Sequence, residues 1–156
     1  MTPKQILEEA KNLQDKLICN RRYLHSHAET GFDLKDTLAF VKNELEKLGY
    51  QPTECGKAGL IALAGGKRDG KVFLIRGDMD ALPITEESDV DFPSVNGKMH
   101  ACGHDMHTAM MLGAAKLLKD HEQEIEGTVK LMFQPAEEIF EGSRDMIASG
   151  LLKNPD

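Results

Sequence analysis

No stretch of this sequence is apolar for long enough to cross a bilayer, and the opening residues MTPKQILEEAKNLQDKLICNRRYLHSHAE contain no continuous apolar segment of the kind a secretory signal needs. Both absences point to a cytoplasmic protein with no membrane partner. A lysine- or arginine-rich run is missing too, and the formal net charge is -7. A nucleic-acid footprint or an anionic-membrane surface needs clustered positive charge, so neither is expected. The three cysteines, Cys19, Cys55 and Cys102, are odd in number and have no framework-like spacing, which excludes a disulfide scaffold. Cys19 and Cys55 read as small core residues, and any special cysteine should be a ligand or a nucleophile. Repeats, low-complexity tracts and linkers are also lacking.

What is present is one domain's worth of chain. At 156 residues and 40% hydrophobic content, the sequence can bury a single core. Apolar positions at helical spacing predict a helix from residue 3 to about 25 (Ile6, Leu13, Leu17, Ile18). They predict another over 34–48 (Leu38, Val41, Leu45, Leu48), closed by Gly49. Leu60 to Ala64, Val72 to Arg76 and Thr128 to Gln134 read as strands punctuated by Gly65-Gly66 and Asp69-Gly70. DMHTAMMLGAAKLL predicts a helix over 105–118, with Met106, Met110 and Met111 as packing residues, and 142–149 a shorter one. Strands alternating with helices define an α/β layered domain, in which ligands collect at the C-terminal ends of parallel strands.

Three polar clusters stand at the ends of apolar runs: Asp78-Met79-Asp80 after VFLIR, His100-Ala-Cys-Gly-His104-Asp105 before the helix, and Glu137-Glu138 after KLMFQPA. Strand ends that share a rim bring all three into one pocket. Cys102 and His104 are two apart, so in extended backbone they leave on one side, with Gly103 free to turn between them. A thiolate with an imidazole suits zinc or another borderline transition metal, and the N-terminus of the following helix favours the thiolate. An isolated C-x-H is more often a buried cysteine beside a surface histidine, but here two acidic clusters accompany it. Adjacent Glu137 and Glu138 diverge, so one can bind metal while the other faces a metal-activated water as general base. Taken alone such a pair is usually a solvated acidic turn. Asp78 and Asp80 are either turn-forming aspartates or carboxylates orienting a ligand histidine, with Asp80 favoured for orientation. His107 is equally a ligand, a substrate contact or a helix-surface residue. His25, His27 and His121 read as structural or solvated.

RGDMDALPI, GKMHACGHDMHTAMMLGAAKLL and FQPAEE resemble the N-acyl-amino-acid amidohydrolase, hippurate hydrolase and auxin-conjugate hydrolase group of co-catalytic metallopeptidases. The resemblance runs from about Arg21 to Leu151. It implies a layered α/β/α zinc-peptidase-like catalytic domain with a mixed, mostly parallel sheet, of which residues 1–156 form the N-terminal part. It implies Cys102, His104 and Glu138 as metal ligands, Glu137 as general base and Asp80 as the supporting aspartate. It further implies two divalent ions, zinc first and manganese, cobalt or nickel as alternatives, and hydrolysis of a small N-acyl amino acid such as an N-acetyl or N-benzoyl compound.

Family members continue into further histidine ligands and an inserted domain that usually makes homodimers, so this chain is expected to hold one ion well and to expose an apolar sheet edge. The alternatives are a truncated, non-catalytic fragment that binds metal weakly or needs a complementing piece, and an aminopeptidase or dipeptidase with the same machinery.

Overall fold

A computed structural model describes residues 2–153, so the expected unit of residues 1–156 lies within it apart from its first residue and its last three. The chain opens with α1 (Pro3–Asn12), started by a capping box in which Thr2 Oγ1 accepts from Gln5 N and Gln5 Oε1 accepts from Thr2 N. The single helix expected over 3–25 is in fact two, because the chain pauses at Leu13 before α2 (Gln14–Ser26). A one-residue interruption barely changes the apolar spacing, so periodicity cannot detect it. Next, α3 (Lys35–Lys47) buries Val41 and Leu45 and ends at Gly49, whose φ of 84° is the left-handed C-terminal turn that glycine favours.

The sheet contains β1 (Thr53–Cys55), β2 (Gly59–Gly65), β3 (Val72–Asp78) and β4 (Thr128–Gln134) in the order β1-β2-β4-β3. Between β3 and β4 the chain forms α4 (His104–Asp120), and after β4 comes α5 (Gly142–Ala148). The sheet is mixed, as expected, but parallel pairing is confined to β3 with β4, while β1–β2 and β2–β4 are antiparallel. The physical reason is connection length. Gly56 turns β1 straight back into β2, which forces an antiparallel pair, whereas only the β3–α4–β4 crossover is long enough to return the chain in the same direction. Three residues are too few for an alternation signal, which is why β1 escaped the sequence reading.

Alternation along β4 divides the core. Leu131 and Phe133 face α3 and α4 with Val41, Leu45, Leu60 and Leu112, while Met132 faces the other way with Cys55, Met146 and Leu151 beneath α5. A strand covered on both faces carries apolar residues at successive positions, as LMF does at 131–133, and the buried Lys130 that precedes them donates to the Leu151 and Lys153 carbonyls. Two packing expectations fail. Met106 and Met110 lie on the outward face of α4, exposed, and only Met111 enters the core; Cys19 is exposed, whereas Cys55 is buried. The four-residue spacing of Met106 and Met110 gives them a common helix face, but spacing alone does not say which way that face points. The β3 edge carries Phe73, 66% exposed. Among the described residues no helix is long and apolar enough to cross a membrane.

Candidate metal centre

The parallel pair positions the site. β3 and β4 end in register at Asp78 and Gln134, and Met79 N donates to Gln134 O at 2.9 Å, carrying Asp80 just past the rim. Pro135 ends β4, and Ala136 takes a φ of 51°, unusual for a residue with a side chain. That conformation is held from three directions: Ala136 N donates to Gly31 O at 3.0 Å, and Ala136 O accepts from Glu141 N at 3.2 Å and Gly142 N at 3.1 Å. Gly142 must be glycine, since a Cβ there would collide with the Pro135 carbonyl. The resulting turn presents Glu137 and Glu138. Gly103, at φ 85°, turns the chain between Cys102 and the start of α4 at His104.

Asp80, fully buried, joins the pieces: Oδ1 accepts from Glu137 N at 3.0 Å and Oδ2 from Glu138 N at 3.2 Å. Its carbonyl lies 2.7 Å from His104 Nδ1, and because a carbonyl only accepts, Nδ1 donates. That leaves Nε2 for a ligand, 3.5 Å from Asp78 Oδ1 and 3.7 Å from Glu137 Oε2. Ligand atoms of Cys102, His104 and Glu138 all lie within 4.8 Å of one another, and so do those of Asp78, His104 and His107. Asp78 already receives His107 Nδ1 at 2.5 Å and Arg76 Nη1 at 2.8 Å.

The electrostatics follow from so many carboxylates in one place. Burial opposes charge on His104, but the contact with Asp80 and the charge of Asp78 outweigh it and raise its pKa to about 9. For Asp78, burial works against ionisation, and His107, His104 and Arg76 together overcome it and lower its pKa. Cys102 goes against the expectation of a helix-favoured thiolate: its contact with Glu138, then burial, then the charges of Glu138, Glu137 and Asp78 push the thiol up to about 11. The negative field of the site exceeds the pull of the helix terminus.

These residues suit a transition metal. A thiol, an imidazole nitrogen and a carboxylate converge with the mixed donor chemistry that zinc favours. Glu138 Oε1 is buried with no hydrogen-bond partner among the described residues, which is costly unless the oxygen has a cation to meet. The Glu137 side chain, about one-third exposed, remains open to solvent.

Histidines supplied what the sequence reading missed. His25, taken as structural or solvated, is buried between Asp105 and Glu86, with each ring nitrogen 2.8 Å from a carboxylate oxygen. His100 is buried, neither ring nitrogen has a hydrogen-bond partner among the described residues, and its burial lowers the pKa to about 4. The only sequence signal for either was proximity to a motif.

A cluster of soft and hard candidate metal donors thus lies at the C-terminal ends of parallel strands, with a solvent-open carboxylate beside it. The sequence signature of peptidase family M20/M25/M40 matches residues 74–156, and the chain belongs to that family. It is 44% identical to an IAA-amino acid hydrolase, ILR1-like 5, from Arabidopsis thaliana, over 97% of this chain and 36% of that protein. It is 40% identical to an N-acyl-L-amino acid amidohydrolase from Geobacillus stearothermophilus, over 100% of this chain and 43% of that protein. The solved structure of a dinuclear metal-binding M20 peptidase from Bacillus subtilis superposes with a TM-score of 0.87 at 43% identity, covering 92% of this chain and 41% of that one. The structure of a protein described as an aminohydrolase, from methicillin-resistant Staphylococcus aureus, gives 0.94 at 37% identity, covering 99% and 41%. The chain thus spans about two fifths of the length of the curated relatives it matches.

Proposed function

We propose that this chain carries the catalytic base and one ion's ligands for hydrolysis of the amide bond of N-acyl amino acids, with Cys102, His104 and Glu138 as ligands and zinc as the ion. When bound, the metal supplies Lewis-acid polarisation of the scissile carbonyl and of the attacking water. Glu137 takes the proton of that water and returns it to the leaving amine, the role its open carboxylate beside His104 suits. Asp80 fixes both glutamates through their backbone N–H groups, and His104 through its carbonyl. The carrying observation is the division of labour in the glutamate pair: Glu138 turns to the thiol and imidazole, and Glu137 stays accessible.

Both candidate groups contain His104, so Asp78–His104–His107 and Cys102–His104–Glu138 mark alternative positions for a single ion. The second ion of a co-catalytic pair then draws its ligands from elsewhere in the whole protein, as does the homodimer contact. Replacing Glu137→Gln should abolish release of amino acid from N-acetyl or N-benzoyl substrates while leaving bound metal per chain unchanged; undiminished turnover would overturn the assignment. Free dipeptides hydrolysed in preference to acylated amino acids would favour the peptidase reading.

A further inference from the structure

We infer that His25 and Asp105 are positioning residues for the Cys102–Gly103–His104 ligand turn, with Arg21 and Glu86 completing a buried ionic clamp behind it. This rests on the proposed reading of Cys102 and His104 as metal ligands. Asp105 follows His104 directly in the first turn of α4 and is fully buried. Its Oδ2 accepts from Arg21 Nε and from His25 Nδ1, both at 2.8 Å, and its Oδ1 accepts from Met106 N at 2.9 Å. On the far side of the imidazole, Nε2 lies 2.8 Å from Glu86 Oε1, and Glu86 Oε2 accepts from Ser94 N at 2.6 Å. Each ring nitrogen of His25 thus faces a carboxylate oxygen. Phe92 closes the cluster, its ring edge-on to His25 at 5.4 Å and 5.0 Å from the Arg21 guanidinium.

The clamp joins α2, the segment 86–94 and the start of α4, three parts of the chain that are far apart in sequence. The ligand turn has no side-chain cap of its own: Gly103 precedes α4 in a left-handed conformation, and only its carbonyl meets the helix, accepting from Met106 N at 2.9 Å and His107 N at 3.2 Å. His104 is therefore held by the Asp80 carbonyl on one side and, through the backbone, by Asp105 on the other. Burying the Asp105 and Glu86 carboxylates is a poor way to gain stability, because desolvation offsets much of the attraction to their partners. It is an effective way to fix a direction, since each partner left alone would be a costly unpaired charge. Positioning of this kind acts on metal affinity, where groups that orient ligands typically contribute about 10–100-fold.

The test uses Co2+, whose absorption reports thiolate coordination. His25→Gln and Asp105→Asn should each weaken Co2+ binding by about 10–100-fold and reduce the thiolate-to-cobalt band per bound ion. Glu86→Gln, which keeps the His25–Asp105 contact, should fall between these variants and the native chain. Leu45→Ala, a core truncation in α3, serves as the control for lost stability and should bind Co2+ with native affinity. Native affinity and spectrum in both His25→Gln and Asp105→Asn would overturn the inference, as would an equal loss in Leu45→Ala. Failure of the native chain to bind Co2+ would overturn the ligand assignment together with the clamp, whereas native binding with insensitive variants overturns the clamp alone.

Discussion

The Asp80 carboxylate accepts the backbone N–H of Glu137 at 3.0 Å, so the loop leaving β3 dictates where the turn leaving β4 places Glu137. An aspartate read from sequence as a support for a histidine also aligns the glutamates.

Asp80→Asn keeps one acceptor and turns an amide N–H₂ toward the other glutamate's N–H. A buried donor left without an acceptor costs about 1–3 kcal/mol, and urea unfolding of the metal-free chain should show a loss of that size. Metal affinity should fall as well. Unchanged unfolding would mean that the turn after β4 holds itself.

Metal uptake should release protons. His104 near 9 and Cys102 near 11 are both protonated in the metal-free chain at neutral pH, and both must lose their protons to coordinate. Apparent affinity should therefore rise by roughly 100-fold per pH unit below about 9, two protons leaving per ion. Calorimetry in buffers of different ionisation enthalpy counts those protons directly; an affinity flat between mildly acidic and neutral pH would contradict the protonated thiol.

Glu86 sets an acid limit on stability. Burial raises its pKa, but hydrogen bonds from His25, Ser88 and the Ser94 N–H lower it further, to about 2 from an ordinary 4.5. The folded pKa lies below the unfolded one, so the stabilisation is complete above about 4.5 and is lost as the pH falls from there toward 2. Glu86→Gln should lower the melting temperature near neutral pH and converge with the native chain in strong acid. Parallel curves at all pH values would remove Glu86 from the account.

Phe140 is 78% exposed and sits at φ 58°, a left-handed conformation that costs a side-chain-bearing residue about 1–2 kcal/mol. Phe140→Gly relieves that strain and gives part of it back in unfolded-state entropy, so a net gain of about 0.5–1 kcal/mol is expected in thermal unfolding. A loss of stability would show that the ring makes a contact worth more than its exposure indicates.

The strand ends were readable in advance for a simple reason: β4 is buried on both faces, so its apolar run stops where the polar site begins, and the expected bounds at Thr128 and Gln134 are the observed ones. Cys102, His104 and the glutamates could be singled out because residue type and short spacing mark candidate donors, and the fold does bring Cys102, His104 and Glu138 together. The His25 clamp was not, because His25 meets Asp105 and Glu86 across 80 and 61 residues of chain, and nothing local to LHSHAE distinguishes a buried imidazole from a solvated one. The break at Leu13 and the outward turn of Met106 and Met110 were hidden similarly, since periodicity reports a face without reporting what covers it.

The hold of Glu138 on Cys102 bears on chemical durability. Peroxides and alkylating reagents attack thiolates, and a surface-exposed sulfur kept protonated up to about 11 offers them very little. On the proposed reading of Cys102 as a ligand, the metal-free sulfur should therefore react slowly with peroxides and alkylating reagents at neutral pH.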